Sequence, residues 1–295
     1  MILLEYLGVD GSVWDLRTGP VRLGLGAQGL GLLPLTTFVQ DNGIADGERD
    51  TGWRADPQDI RLPLKKGYPG WSATDWSILD EAWTNAILPH KTGALRASKY
   101  LVDGTLRSQR TVAVRVTSDG PRQMEYDPSE VNEEDIDYTF HAGVPWWLGA
   151  KQQTPFGVGG TPTPFYGASG YGPPFYISAA NSSGSQQVSN PGHVDAWGVW
   201  TLNGPVTDFS INQQGRIVSG APALQAGERL VLDTRPGRKS ATRYDTAGNP
   251  TPWTPNLTAA DWRPIPAGSS VAVAVAITGT GGAVLELQPQ YFTPW

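Results

Sequence analysis

The sequence predicts an all-β protein that contains one helix. The 295-residue chain has 36 glycines and 25 prolines, a share above the usual one, together with 12 Trp, 10 Tyr and 7 Phe. Aromatic side chains at this density can build cores, which argues against disorder, while glycine and proline are typical of turns. Short runs rich in β-branched or aromatic residues recur between clusters of turn residues, and this spacing favours antiparallel sheets over βαβ units.

The length of the chain allows two domains of ordinary size. In the first half, strand-like runs flank Asp10-Gly11 and Asp103-Gly104, which are strong hairpin signals. We place the domain boundary near Val144–Leu148, so that residues 1–145 form a sandwich or barrel and residues 146–295 form a second sandwich. The second domain contains the run VAVAVAI at Val271–Ile277, which predicts a fully buried strand with small residues on one face.

One helix is predicted near residues 73–88. Ser72 and Asp75 form a capping-box pattern before it, and Pro89 ends it because the residue before a proline avoids the helical conformation. Apolar residues recur on one face at helical spacing: Trp76, Leu79, Trp83, Ala86 and Ile87. We expect this face to pack on a sheet as part of the core; stacking on a ligand is the weaker interpretation.

Charge is distributed unevenly along the first domain. The hairpin around Asp103-Gly104 is basic, through Arg96, Lys99, Arg107, Arg110 and Arg115. The segment after it is acidic and has no Lys or Arg between its acids: Glu125, Asp127, Glu130, Glu133, Glu134, Asp135 and Asp137. Such a run is usually a solvated loop, and a contact with the basic hairpin, within or between subunits, is the alternative.

Carboxylates are plentiful in the sequence, but no pattern marks a catalytic or metal-binding set. The chain has no Cys, which excludes disulfides and thiolate chemistry, and its three histidines do not lie at metal-ligand spacing. No P-loop or nucleophile-elbow motif occurs. We therefore predict no enzyme activity, no catalytic or metal site and no cofactor. The net charge of −6 argues against specific nucleic-acid binding, and no apolar run is long enough for membrane insertion.

Three short motifs occur in an order that is shared with a known family. In the second half, an Asn-x-Gly motif, a strand, a Gly-Pro pair and a Gly-Glu-initiated strand follow one another, at Asn190, Gly192, Gly204-Pro205, Gly227-Glu228 and Asp233-Thr234. In the first half, the helix leads through Leu88-Pro89 to a hairpin, and Phe140 to Trp147 contain the pattern Phe-x-Ala-x-x-Pro-x-Trp. With these motifs in this order, the chain resembles the distal tail (Dit) proteins of long-tailed, non-contractile phages.

The resemblance implies a structural function in the virion. Proteins of this family form a ring, commonly a hexamer, through an N-terminal belt domain, and carry a galectin-like C-terminal sandwich. The ring joins the tail tube to the tail-tip hub and to the host-recognition apparatus. The implied partners are other copies of the chain, the tail tube protein, the hub protein, and receptor-binding proteins or a host glycan. The implied location is the virion tail tip, after assembly in the host cytoplasm.

Two groups of residues are candidate sites under these interpretations. The acidic run from Glu125 to Asp137 would suit the lumen of a ring, or a contact between its subunits, because DNA that passes through should meet little attraction. The alternative function is a carbohydrate-binding sandwich, in which Trp253 and Trp262 of a proline-rich loop would stack on a sugar of the host surface or of another polysaccharide. The structural alternative for these two residues is that they cover one end of the sandwich.

Overall fold

The computed structural model describes residues 1–41, 48–118, 127–157, 163–164, 176–177 and 181–295. These residues form two compact units. The first unit comprises Met1–Gly149 together with Tyr291–Trp295, and the second comprises Ala150–Gln290. The last five residues therefore belong to the first unit, whereas the sequence analysis placed them in the second domain.

The first unit consists of strands and two helices. Its strands are β1 (Ile2–Leu7), β2 (Val13–Asp15), β3 (Val21–Leu23), β4 (Leu35–Asp41), β5 (Glu48–Ala55), β6 (Gln58–Gly67), β7 (Gly93–Tyr100), β8 (Leu106–Ser118), β9 (Glu133–Ala142) and β10 (Trp147–Leu148). Its helices are α1 (Ala73–Ala86) and α2 (Pro128–Val131). The predicted all-β class is confirmed, and α1 lies where the sequence predicted a helix. Helix α2 is a single turn in the acidic segment that the sequence analysis treated as a loop.

Seven strands of the first unit form a sheet that curls back on itself. Their order is β2-β1-β7-β8-β9-β6-β3, and neighbouring strands are antiparallel. The first and last strands of this path come together, because the backbone N–H of Leu23 in β3 donates to the carbonyl of Leu16, just after β2, at 2.6 Å. The inward residues of the curled sheet and the apolar face of α1 build one core.

Helix α1 is fixed by its cap and by buried aromatic contacts. The Ser72 hydroxyl accepts the Asp75 backbone N–H at 3.1 Å, and the Asp75 carboxylate accepts the Ser72 backbone N–H at 3.2 Å, which completes the predicted capping box. Trp83 is 1% exposed; its ring centroid lies 5.6 Å from that of Tyr6, and its indole N–H donates to the Tyr138 hydroxyl at 3.1 Å. The predicted core role of α1 is confirmed.

The last residues of the chain are held in the first unit by hydrogen bonds and ring contacts. The backbone N–H of Leu33 donates to the Phe292 carbonyl at 3.1 Å. The Arg110 guanidinium donates to the Thr293 carbonyl at 2.8 Å and lies 3.7 Å from the ring centroid of Tyr291. One cation of the predicted basic hairpin is thus used inside the unit.

The second unit contains two larger antiparallel sheets. Its strands are β11 (Gln152–Phe156), β12 (Thr163–Pro164), β13 (Tyr176–Ile177), β14 (Asn181–Asn190), β15 (Val199–Asn203), β16 (Val206–Gln213), β17 (Arg216–Gly220), β18 (Arg229–Asp233), β19 (Ser240–Tyr244), β20 (Pro250–Pro252), β21 (Leu257–Ala260), β22 (Ser269–Gly279) and β23 (Gly282–Leu287), and β24 (Gln290–Tyr291) crosses the junction of the units. One sheet has the order β11-β23-β15-β18-β19-β20, and the other has the order β14-β22-β16-β17-β21. Strands β12 and β13 pair with each other.

Inward residues of both sheets form the core of the second unit. In β22, Val271, Val273, Val275 and Ile277 are at most 3% exposed, whereas the alanines between them are exposed. The prediction of a fully buried strand at this place is therefore wrong. The strand belongs to an antiparallel sheet with one covered face and one solvated face, and small residues occupy the solvated side.

The Asn-x-Gly motif of the second half fixes a turn by side-chain hydrogen bonds. The buried Asn190 amide donates to the carbonyls of Val194 at 2.8 Å and Ile265 at 3.0 Å, and its oxygen accepts the Gly192 N–H at 2.9 Å. A Cβ on Gly192 would lie 2.8 Å from the Gln290 carbonyl oxygen, so a larger residue would displace this backbone.

The Gly-Glu motif is also structural. The Glu228 carboxylate accepts the backbone N–H of Gln225 at 2.7 Å and the Arg243 guanidinium at 2.6 Å, and these hydrogen bonds hold the pKa of Glu228 below its usual range. At the end of the same strand, the Thr234 hydroxyl donates to the Gly198 carbonyl at 2.7 Å. The residues that carry the resemblance thus set the path of the chain in the second unit.

We expect Trp83→Ala to lower the free energy of unfolding of the first unit by about 3–5 kcal/mol, because it empties a buried aromatic site. Ile78→Ala on the same helix is the matched control: Ile78 is 63% exposed, so its truncation should cost less than about 0.5 kcal/mol. Urea unfolding followed by circular dichroism measures both. Equal unfolding midpoints for the two variants would contradict the core role of Trp83.

Candidate assembly surface

Strands β4 and β5 of the first unit form a two-stranded hairpin, here called the arm. The arm is not part of the curled sheet of this unit. Within the described residues, the two strands pair with each other and with no further strand. Four large apolar side chains on the arm are between 46% and 49% exposed: Leu35, Phe38, Val39 and Trp53. The sequence analysis missed this element, although Asn42-Gly43 between its two runs is a hairpin signal.

The base of the arm is tied to the first unit. The Asp56 N–H donates to the Pro34 carbonyl at 3.0 Å, which joins the two ends of the hairpin. The Asp56 carboxylate accepts the Thr36 hydroxyl and the Arg54 guanidinium, and these hydrogen bonds lower the pKa of Asp56. One side of the Trp53 ring packs on Phe292, at 5.7 Å between centroids. The base is therefore fixed, while no other described strand of the unit pairs with the two strands beyond it.

Such an arm is suited to binding a protein. Strands outside a sheet leave backbone N–H and C=O groups unpaired, and proteins either cover these edges or use them for pairing. Exposed apolar side chains that lie close together are typical of interaction sites. The arm combines both features on an element with a fixed base.

The acidic run predicted from the sequence serves several roles. Glu125 lies outside the described residues. Asp127 is the N-cap of α2: its carboxylate accepts the hydroxyl of Ser129 at 2.8 Å and its backbone N–H at 2.9 Å, which lowers the pKa of Asp127. Glu130 is exposed in α2.

The remaining acids of the run lie on β9 and pair with cations of the first unit. Their ion pairs are Arg22 with Glu133, Arg61 with Asp137, Lys65 with Asp135 and Lys66 with Glu134. Three of these cations lie on β6, which is the antiparallel neighbour of β9. The interpretation as a solvated loop is therefore wrong for these residues, and their four ion pairs join them to β3 and β6. A role of the run in a lumen or between subunits stays a prediction. The cations of β6 already balance much of the negative charge of the run.

The pair of Lys66 and Glu134 differs from the others because it is buried. The two side chains are 2% and 8% exposed, and the ammonium nitrogen lies 2.7 Å from a Glu134 oxygen. Lys66 also contacts Asp80 of α1 and lies 4.9 Å from the ring centroid of Trp76. One ammonium group thus links β6, β9 and α1.

Of the five cations of the basic hairpin β7–β8, two are used internally and two others lie at its end. Arg96 donates two hydrogen bonds to the Glu5 carboxylate, at 2.7 and 2.9 Å, and Arg110 binds the C-terminal residues. Lys99 and Arg107 lie at the end of the hairpin, where the described residues offer them no ion-pair partner.

The two candidate sugar-stacking residues pack on the core of the second unit. Trp253 is 8% exposed, and its ring centroid lies 6.4 Å from that of Phe209. The indole also covers Gly220, where an added Cβ would come within 2.6 Å of the ring. Trp262 is partly buried against the same core. Little of the Trp253 ring faces solvent, which favours the covering role, and sugar stacking by either tryptophan stays a prediction.

The described residues show little that could support catalysis. A shallow depression of about 480 Å³ lies on the outer face of the sheet that contains β22, and its lining has no titratable side chain: Gly184, Ser185, Ser210, Asn212, Ala274, Val275 and Ala276. In the described part of the chain, no cluster of three or more His, Cys, Asp or Glu could hold a metal ion. Likewise, none of the described helices has the length and apolar character to cross a membrane.

Comparison with known proteins gives a match only at the level of structure. No protein-family model and no curated protein matches the chain. The crystal structure of SPP1 Dit (gp 19.1) superposes with a TM-score of 0.61 at 11% sequence identity, and the match covers 98% of this chain and 99% of that one. The chain has the fold of SPP1 Dit.

The phage P2 baseplate contains the same fold. Its structures in the activated conformation with calcium and with strontium match with a TM-score of 0.54, at 14% and 15% identity, over 99% of both chains. SPP1 Dit is described as a paradigm of the hub adsorption apparatus in phages that infect Gram-positive hosts. The resemblance to Dit proteins that the sequence motifs predicted is thus confirmed at the level of the fold.

We expect Lys66→Met to lower the free energy of unfolding by about 3–5 kcal/mol, because it removes the ammonium group that a buried carboxylate faces. Lys65→Met, the control on the same strand, should cost at most about 1 kcal/mol, because the Lys65–Asp135 pair is exposed. Adding Glu134→Gln to Lys66→Met should recover part of the loss by removing the buried charge. Urea unfolding of the three variants tests this, and equal costs for Lys65→Met and Lys66→Met would refute it.

Proposed function

We propose that this protein is the distal tail protein of a long-tailed phage. In this proposal, copies of the chain form a ring between the tail tube and the tail-tip hub. We expect the ring to be a hexamer, as is common in the family. The observation that carries the proposal is the likeness to SPP1 Dit, which extends over 98% of this chain and therefore includes both units. The likeness to the phage P2 baseplate over the same extent supports it.

The arm supports the assembly part of this proposal. In a ring, each copy contacts its two neighbours through two different surfaces. Such a head-to-tail contact gives a closed ring when its rotation angle is a whole-number fraction of a full turn. The arm offers unpaired strand edges and exposed apolar side chains on a fixed base. We assign ring formation to the first unit, in agreement with the belt domain expected from the resemblance.

The proposed partners follow from the position in the tail. They are the tail tube protein on one side and the hub protein on the other, with receptor-binding proteins or a host glycan beyond the hub. The location is the virion tail tip, and assembly takes place in the host cytoplasm. The proposal includes no catalysis and no cofactor. The burial of Trp253 weakens the alternative of a carbohydrate-binding sandwich.

We expect the purified protein to form closed rings at high concentration or in the presence of its hub partner. Six copies of the 31.7-kDa chain would give a mass of about 190 kDa by light scattering, with rings visible in negative stain. Antibody labelling of virions should mark the end of the tail. A protein that stays monomeric in all these conditions, and that virions lack at the tail end, would overturn the proposal.

Removal of the arm should abolish the ring and leave a folded chain. Residues 35–55 can be replaced by two glycines, because Pro34 and Asp56 are already joined by a hydrogen bond of 3.0 Å. Ile217→Ser is the control: it changes an apolar side chain of the second unit that is 39% exposed. Circular dichroism checks the fold and light scattering the mass. Rings of full size without the arm would show that another surface of the chain forms the contact.

A further inference from the structure

We infer that the arm of one copy docks, through its acidic end, on the basic tip of the β7–β8 hairpin in the next copy. The inference rests on the proposed ring and names the two surfaces that would close it. Its basis is that one chain carries two exposed surfaces that are both partly apolar and have opposite charge.

The acids of the arm share one face. Residues that lie opposite each other in an antiparallel pair point to the same side, and Val39 lies opposite Asp50 while Asp41 lies opposite Glu48. Because alternate residues of a strand share a side, Val39 and Asp41 are on the same face. Arg49 lies opposite Gln40 and points to the other side. The arm therefore presents an exposed valine next to three exposed carboxylates.

These carboxylates are free to bind a cation from outside. Among the described residues, Asp41, Glu48 and Asp50 have no ion-pair partner, in contrast to the acids of β9, which β6 largely neutralises. The apolar side chain beside them would remain in water in an isolated chain. A partner surface that fits this face must be basic and apolar.

The tip of the β7–β8 hairpin meets both requirements. Leu101 and Leu106 are 41% and 47% exposed, and Val102 is fully exposed. Lys99 and Arg107 flank them, one on each strand. The single acid of the turn is engaged locally, since the Asp103 carboxylate accepts the Thr105 N–H at 2.9 Å. Two of the five cations that the sequence assigned to this hairpin thus lie at its tip, where they exceed the single charge of Asp103.

Charge complementarity favours a second copy of this chain as the occupant. The arm end carries an excess of negative charge and the hairpin tip an excess of positive charge, so two copies attract each other arm to tip, while arm-to-arm and tip-to-tip contacts are repelled. Every copy has one arm and one tip. The contact is therefore head-to-tail, as a closed ring requires.

Cysteine cross-linking tests the contact directly, because the chain contains no cysteine of its own. A variant with Val39→Cys and Val102→Cys should give disulfide-linked ladders that end at the size of the ring when it is oxidised after assembly. Mixing the two single variants should give dimers only. The control combines Val39→Cys with Ile217→Cys in the second unit and should stay monomeric in denaturing gels.

Charge exchange tests the electrostatic part. Lys99→Glu with Arg107→Glu should raise the concentration needed for half-assembly by about tenfold or more, because like charges then face each other. Adding Glu48→Lys and Asp50→Lys should restore assembly towards the wild-type concentration. Circular dichroism and unchanged unfolding midpoints confirm that the variants fold.

The outcomes separate this inference from the proposed function. Ladders of the Val39→Cys, Val102→Cys variant together with rescue by charge exchange support the inference. Closed rings with free thiols and no rescue overturn it and leave the proposed ring standing, with the arm then covered by the tube or hub protein. Wild-type protein that forms no oligomer at any concentration, alone or with the hub partner, overturns the proposed ring and this contact together.

Discussion

The burial of Trp83 is the contact on which much of the first unit depends. Its ring fills the space between the curled sheet and α1, and its indole N–H is satisfied by Tyr138 of β9. Tyr6 of β1 packs on the same ring and donates its hydroxyl to the carbonyl of Ala86, at the end of the helix. Burial raises the pKa of Tyr6 to about 12, so this donor keeps its proton. Aromatic packing and two hydrogen bonds thus join α1 to β1 and β9. The ion pair of Lys66 with Asp80 joins α1 to β6 as well.

A rigid core of this kind makes an unpaired hairpin possible. The arm has no sheet of its own to support it, and two strands alone are marginal in water. Its stability must come from its base, where Trp53 packs on Phe292 and Asp56 joins the strand ends to the unit. The consequence is an element whose root is held by the core and whose strands carry exposed apolar side chains. Strand edges that would be a hazard in an isolated protein become useful when a partner covers them.

Sequence reasoning recovered the elements that local patterns determine. The capping box at Ser72 and the apolar spacing around Trp83 are properties of neighbouring residues, and the structure has both. The partners of the β9 acids could not be predicted, because the register of β6 and β9 joins residues about 70 positions apart. The sequence left two interpretations of Trp253 open, exposure in a proline-rich loop and cover of one end of the sandwich, because only the tertiary packing on Phe209 decides between them. For the candidate surface, composition revealed the basic hairpin, whereas the acidic arm needed the strand pairing to show which side chains share a face.

The return of residues 291–295 to the first unit changes how the chain can be labelled and cut. The second unit is an insertion between Gly149 and Tyr291, with both of its ends continuous with the first. A single backbone cleavage inside it gives one fragment that carries Met1–Gly149 and another that carries Tyr291–Trp295, so that each fragment retains a part of the first unit. A fluorophore placed after Trp295 reports on the first unit, although the segment that directly precedes Tyr291, Ala150–Gln290, belongs to the second. A probe for the second unit has to enter an internal turn, and the exposed Ala247 is a suitable place, whereas the neighbouring Gly248 has a φ of +86° that disfavours any side chain.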